Sequence, residues 1–174
     1  MEEQYEIALS FATEDQKLVE TVYHYLKAEN IKVFFAPSRE GQVFLAGKNQ
    51  REAFYSMFGK NARCVALFVS KNYVEKDVPM EEASIAFAKH TDDGSVIPIY
   101  LDDAILPAEM FDPKQMNYLR SNNPAKIATH LAERVKSISP QFREETKATE
   151  DKSVMNIHGN TADKQIFIQN LRGI

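Results

Sequence analysis

Ala62-Arg63-Cys64-Val65-Ala66-Leu67-Phe68-Val69-Ser70-Lys71-Asn72-Tyr73, running on through Val74-Glu75-Lys76-Asp77-Val78-Pro79-Met80-Glu81-Glu82, decides how the rest of the chain is read. Cys64 to Val69 is an unbroken apolar run, rich in β-branched and aromatic residues and bounded by Arg63 and Ser70. A strand buried on both faces reads this way, which places it near the middle of a parallel sheet. A polar loop follows, and then a helix start with Asp77 as cap, Pro79 in the first turn and good helix formers from Ala83 to Lys89. Glu81 and Glu82 are thereby expected in a first helical turn just beyond the carboxyl end of a central strand, the rim where open α/β sheets bind ligands. The helix dipole alone favours acidic residues in a first turn, so position by itself assigns them no chemistry.

Working outward, the other segments alternate strand and helix. Tyr5 to Phe11 reads as a first strand, and Thr13 to Gln16 has capping-box form with Thr13 as cap. Leu18, Val22, Tyr25 and Leu26 recur at helical spacing until Asn30 ends the helix. Ile31 to Phe35 is a second strand. An irregular loop over residues 36–46 carries Pro37, Gly41 and outward-looking Phe44 and Leu45, and a helix from Gly47 to about Phe58 leads to the central strand. Val96 to Tyr100 is a fourth strand, placed laterally or made irregular by Pro98, which has no amide donor. Tyr118-Leu119 is a short fifth strand, and Pro124 opens a helix with Ile127, Leu131, Val135 and Ile138 on one face. Connections too long for hairpins make this an α/β fold, a doubly wound parallel sheet. Residues 1–139 form the expected domain. Residues 140–174 read as a linker and a short β-prone tail, expected either to pair with something else or to start a further segment.

Composition narrows the classes. In 174 residues, 44% hydrophobic and 26% charged content suits a globular domain with a core, and a net charge of −4 gives no electrostatic case for nucleic acid or an anionic membrane. No apolar run approaches the ~20 residues of a membrane span, and the acidic start Met1-Glu2-Glu3 lacks a signal-peptide pattern. Cys64 is the only cysteine, which suits the reducing cytoplasm. His24, His90, His130 and His158 show no metal-ligand spacing. The stretch from Gly41 to Lys48 fails as a phosphate loop, because Asn49 stands where Ser or Thr would bind magnesium. Val69-Ser70-Lys71 also lacks the aspartate a phospho-acceptor receiver needs there.

Four segments together resemble the TIR domain, in its bacterial form: Tyr5 to Ala12 followed by Glu14-Asp15; Val33-Phe34-Phe35 through Gly47-Lys48-Asn49; Val69 to Tyr73 followed by Glu82; and Ile97 to Asp103 through Leu106-Pro107. The resemblance covers residues 4–138. It implies a flavodoxin-like sheet of five strands in order 2-1-3-4-5. It further implies an NAD+ glycohydrolase or cyclase of bacterial antiviral defence, with NAD+ as substrate and no cofactor or metal. Counting from Ser70-Lys71-Asn72-Tyr73 places the family's catalytic glutamate on Glu82, with Glu81 its neighbour still in contention. Ser10, Phe11, Phe35 and Lys48 are the candidates for contacts with the dinucleotide. Phe44 and Leu45, in what the family calls the BB loop, are the candidates for self-association into a homo-oligomer, alongside a sensor or effector partner. One departure stands out: many relatives carry a tryptophan four residues before the glutamate, where this chain has Val78 and no tryptophan anywhere. The competing reading is a non-catalytic TIR–TIR adaptor; a nucleoside deoxyribosyltransferase is disfavoured by the loop pattern.

One carboxylate is chemically enough for the implied reaction. Nicotinamide is bonded to ribose as a cation and leaves neutral, so no acid is needed to protonate it. Glycoside hydrolysis uses two carboxyls because its leaving oxygen does need a proton.

Overall fold

The computed structural model describes residues 4–90, 94–114 and 116–138. The expected tail of residues 140–174 lies outside the described residues. Five parallel strands, β1 (Tyr5–Phe11), β2 (Val33–Phe34), β3 (Ala62–Val69), β4 (Val96–Tyr100) and β5 (Leu119–Arg120), form one sheet in the order β2-β1-β3-β4-β5. The helices are α1 (Gln16–Ala28), α2 (Arg39–Leu45), α3 (Gln50–Ser56), α4 (Lys71–Val74), α5 (Asp77–Lys89) and α6 (Pro124–Ile138). This is the doubly wound sheet expected from the alternation of patterns.

The central strand is β3. It pairs with β1 from Tyr5↔Ala62 to Phe11↔Phe68 and with β4 from Val65↔Val96 to Val69↔Tyr100. Its side chains alternate between two cores. Val65, Leu67 and Val69 pack with Phe34, Tyr73, Ala83 and Ala86 beneath α3, α4 and α5. Cys64, Ala66 and Phe68 pack with Val19, Val22, Ile127 and Leu131 beneath α1 and α6. At Pro98, β4 has β3 as its partner on one side, while β5 pairs only with Ile99 and Tyr100, so the missing amide is tolerated without irregularity.

Several local expectations are corrected. Thr13 does not cap α1: Thr13–Asp15 is a turn of 3-10 helix, and no side chain caps its start. Asp77 does not cap α5 but is its first residue, so Glu81 and Glu82 fall in the second turn rather than the first. The helix expected from Gly47 to Phe58 is α3 alone, capped by Asn49 Oδ1, which accepts from Arg51 N and Glu52 N, and a π-helical turn Met57–Asn61 carries the chain on to β3. The expected end of α1 is seen: Asn30 adopts φ 60°, a left-handed conformation asparagine accepts more readily than most residues.

The largest correction concerns residues 36–46. This stretch is not an irregular loop, because α2 occupies most of it, capped by Ser38 Oγ accepting from Gly41 N at 3.0 Å. Tyr5 Oη donates to Glu40 at 2.9 Å, and Phe44 packs edge-on against Phe34 with centroids 5.5 Å apart. Gly41 lets α2 start this close to β2: a Cβ there would collide with the carbonyl oxygens of Phe35 and Ala36. Gly41→Ala is therefore expected to lower the unfolding free energy by about 1–3 kcal/mol, the usual cost of overpacking. Urea denaturation checks this, and an unchanged midpoint would mean that α2 does not start against those carbonyls.

Candidate active site

At the carboxyl edge of β1 and β3 the chain assembles three polar side chains inside an apolar shell. Ser10 is the next-to-last residue of β1 and is completely buried; Tyr73, on α4, is equally buried, and Glu82, on α5, is 7% exposed. Ser10 Oγ donates to Glu82 Oε2 at 2.5 Å, and Ser10 Oγ lies 2.7 Å from Tyr73 Oη. Glu82 reaches this position because α5 turns the face bearing Pro79, Ala83, Ala86 and Phe87 toward the sheet, and Glu82 shares it. Glu81 points elsewhere, to an ion pair with Arg51 Nε at 2.6 Å on the outside of α3.

Burial dominates the electrostatics. It pushes the Glu82 carboxyl up to about 8; the Ser10 hydrogen bond opposes this, and the charge on Glu81 adds to it. Tyr73 is held well above its ordinary value by burial first and by Glu82 second, so it remains a neutral phenol and a donor. With Glu82 ionised, the single proton of Ser10 points at the carboxylate, and Tyr73 donates to Ser10.

Around this trio the loops at the carboxyl edge are tied to one another. Ser70 Oγ caps α4 by accepting from Tyr73 N at 3.2 Å and donates to Asp15 Oδ2 at 2.5 Å. Lys71 N donates to Asp102 Oδ2 at 3.0 Å, and Arg120 Nη1 to the Asp102 carbonyl at 2.7 Å. Burial raises the Asp15 carboxyl, with Ser70 acting against it and Asp102 adding to it. Among the described residues no group of three histidine, cysteine or acidic side chains is arranged to hold a metal, and no helix is long and apolar enough to cross a membrane.

A sequence profile for the TIR domain matches residues 7–134. The chain belongs to the TIR domain family. It is 28% identical over 144 residues to the 3' cyclic ADP-D-ribose synthase AaTIR of Aquimarina amphilecti, an alignment covering 80% of this chain and 42% of that protein. The chain thus spans less than half the length of that relative. Its fold is similar to the crystal structure of the TIR domain of the Toll-related receptor TRR-2 from Hydra magnipapillata, with a TM-score of 0.54, 18% identity, and coverage of 67% of this chain and 83% of that one.

In this TIR domain the residues singled out from sequence separate into three groups. Ser10 and Glu82 come together, but Ser10 reaches the carboxyl and not the surface. Phe11 and Phe35 lie on the opposite face of the sheet, stacked at 5.4 Å in the core with α1 and α6, with Phe35 stacked further on Tyr23 at 4.8 Å. The expectation that Phe11 and Phe35 offer a platform beside Glu82 is therefore corrected, since neighbouring strand residues point to opposite faces. Lys48 sits with its Nζ 3.5 Å from the centroid of the Phe44 ring. Phe44 and Leu45 are not outward: both are partly buried against the core, and Val43 is the apolar α2 side chain that faces solvent, 72% exposed. Val78, four residues before Glu82, is exposed at the start of α5. Sequence reasoning missed Tyr73 as a site residue, although it quoted the Ser70-to-Tyr73 segment that carries it.

The raised Glu82 carboxyl has a measurable consequence for stability. Its folded pKa lies above its unfolded one, so the folded state binds the proton more tightly, and stability is lost as pH rises from about 4.5 toward about 8. Wild type is expected to melt at progressively lower temperature across that interval in the absence of ligand. Glu82→Gln should flatten this slope and be the more stable protein at pH 8, by on the order of 1–3 kcal/mol. Parallel slopes for the two proteins would contradict the burial of the carboxyl.

Proposed function

We propose that this TIR domain cleaves the bond between nicotinamide and ribose in NAD+, as an NAD+ glycohydrolase or cyclase active on self-association, in bacterial antiphage defence. The observation that carries the reading is Glu82: a buried carboxyl at the carboxyl edge of the central strand, hydrogen-bonded to a hydroxyl and, among the described residues, paired with no cation. Supporting it, the relative AaTIR is named a cyclic ADP-D-ribose synthase, which indicates ADP-ribosyl chemistry.

The reaction asks little of the protein beyond electrostatics. The ribose C1′–N bond breaks with its electron pair passing to nicotinamide, which leaves neutral, and positive charge develops on the sugar as an oxocarbenium. Water then bonds to C1′ and releases a proton, giving ADP-ribose; capture by a hydroxyl of the same molecule gives a cyclic product. Glu82 acts as the carboxylate facing that charge, a preorganised group in a dry site where electrostatic stabilisation is strong. A cationic pyridinium brought against Glu82 favours its ionised form, so substrate binding itself expels the resting proton. The non-catalytic adaptor is the second reading, and the near-complete burial of Glu82 favours it in this conformation.

Incubation with NAD+ and assay for free nicotinamide separates the two. Glu82→Gln is expected to lower the rate by ~10²–10³ or more, whereas Glu81→Gln, at an outward ion pair, should stay within a few-fold. Equal activity of wild type and Glu82→Gln would assign the chemistry elsewhere. The free enzyme's kcat/KM should rise with pH, about tenfold per unit, and level off near 8 as the carboxylate form fills.

Self-association has its own test on α2. Specific activity is expected to rise with protein concentration, and Val43→Asp to abolish that rise with the melting temperature unchanged, because Val43 touches solvent. Phe44→Asp should instead lower the melting temperature, since its ring packs on Phe34. Full specific activity in a sample that light scattering shows to be monomeric would defeat the assembly requirement.

A further inference from the structure

We propose that Tyr73 is a positioning residue for Glu82, acting through Ser10 as the middle member of a buried chain from Tyr73 Oη to Ser10 Oγ to Glu82 Oε2; its role in catalysis rests on the reaction proposed above. A serine hydroxyl carries one proton and turns freely about its Cβ–Oγ bond, so by itself it does not commit that proton to one neighbour. Here it is bracketed by Tyr73 at 2.7 Å and Glu82 at 2.5 Å. A phenol donating into Ser10 leaves the serine proton only one direction, toward the carboxyl. Hydrogen bonds in series also polarise one another, so the Ser10 donation is stronger with Tyr73 behind it than without.

Packing does not require the oxygen of Tyr73. The ring lies in the apolar cluster formed by Ala8, Leu67, Val69 and Ala83, where phenylalanine would fill the same volume. Burying a hydroxyl in such a shell costs free energy unless it is hydrogen-bonded, and the partner the fold supplies is Ser10. The backbone around Tyr73 is held so that the ring cannot drift from Ser10. Tyr73 N donates to Ser70 Oγ, Ser70 Oγ donates to Asp15, and Lys71 N donates to Asp102. The loops after β1, β3 and β4 thus converge on the residue that orients Ser10. Each carries an acidic or hydroxyl side chain whose bond is to α4 or its cap, and not to Glu82. The chain orders the carboxyl without presenting a second charge to it, leaving the site free for a cationic substrate.

The test follows the Glu82 proton directly. The carboxylic acid C=O stretch of Glu82, identified by its loss in Glu82→Gln, is titrated by infrared difference spectroscopy in the full-length protein without substrate. Nicotinamide release is measured across the same pH range. In Tyr73→Phe the midpoint of the Glu82 band is expected to rise by about 0.5–1 unit, the range one net hydrogen bond supplies, with the kcat/KM profile moving the same way. Site-specific 3-fluorotyrosine at position 73, a more acidic phenol and a stronger donor of the same shape, should move both midpoints down. This keeps the test decisive if Tyr73→Phe fails to fold. Folded variants whose midpoint matches wild type would overturn the proposal, because a merely structural hydroxyl would change stability and leave the titration in place. The infrared arm needs no turnover, so a wild type that releases no nicotinamide overturns the proposed reaction and leaves the hydrogen-bond chain to be decided by the band.

Discussion

A carboxyl group removed from water must be compensated by a cation, by hydrogen bonds, or by a proton, and at Glu82 the structure chooses the last two. A cation is close at hand: Arg51 bonds to the adjacent Glu81 at 2.6 Å, on the outer side of α5. A helix places consecutive residues about 100° apart, so that pairing leaves Glu82 on the inward face, without a counter-charge among the described residues. Its hydroxyl partner lowers the cost of ionisation but does not cancel it, and burial wins. A buried arginine partner would have made the site more comfortable and chemically inert, because the carboxylate would already be neutralised. The uncompensated state is the one that gains from an arriving positive charge.

The rest of the carboxyl edge follows from that requirement. An uncharged pair of hydroxyls orients the carboxyl, and the charged side chains of the surrounding loops are engaged with one another or with backbone. Asp15 is engaged by Ser70, Asp102 by the Lys71 amide and Glu14 by Lys76 at 2.6 Å, with Lys76 standing just before α5. These contacts join the loops after β1, β3 and β4, which in a parallel sheet emerge side by side because β3 lies between the other two. A sheet of a different order would separate Ser10 from Tyr73 and Glu82. The topology is therefore part of the electrostatics.

The parallel sheet was legible because Cys64 to Val69 is apolar without interruption, as a strand covered on both faces requires, whereas the order of its strands came from the family resemblance. Glu82 was legible by resemblance, but its priority over Glu81 was also written in the periodicity. Pro79, Ala83, Ala86 and Phe87 mark the inward stripe of α5, and Glu82 falls on it where Glu81 does not. Phe11 and Phe35 were misplaced for an equally simple reason. Ser10 and Phe11 are adjacent on one strand and must face opposite cores, so a site that takes Ser10 excludes Phe11. Tyr73 was not legible as a site residue, since a tyrosine after a central strand reads as packing until its hydroxyl partner, sixty-three positions away in sequence, is known. The helix within residues 36–46 was hidden because its short apolar content, Val43 to Leu45, is too brief to show a period.

That helix changes what the exposed surface of residues 36–46 can mean. In an irregular loop Phe44 and Leu45 would be free to reach a partner; in α2 they are committed to the core, and the helix turns Val43 outward in their place. The commitment is not deep. Phe44 rests edge-on against Phe34, with Lys48 over its ring, and the start of α2 depends on a glycine and on the Tyr5–Glu40 bond. A two-turn helix has little stability of its own, so α2 persists through these few tertiary contacts. An element so lightly held is where the self-association proposed above would act at least cost. Its contacts with the sheet run to Tyr5 on β1 and Phe34 on β2, so a partner that displaced α2 would break those and leave the Tyr73–Ser10–Glu82 bonds, which α2 does not make.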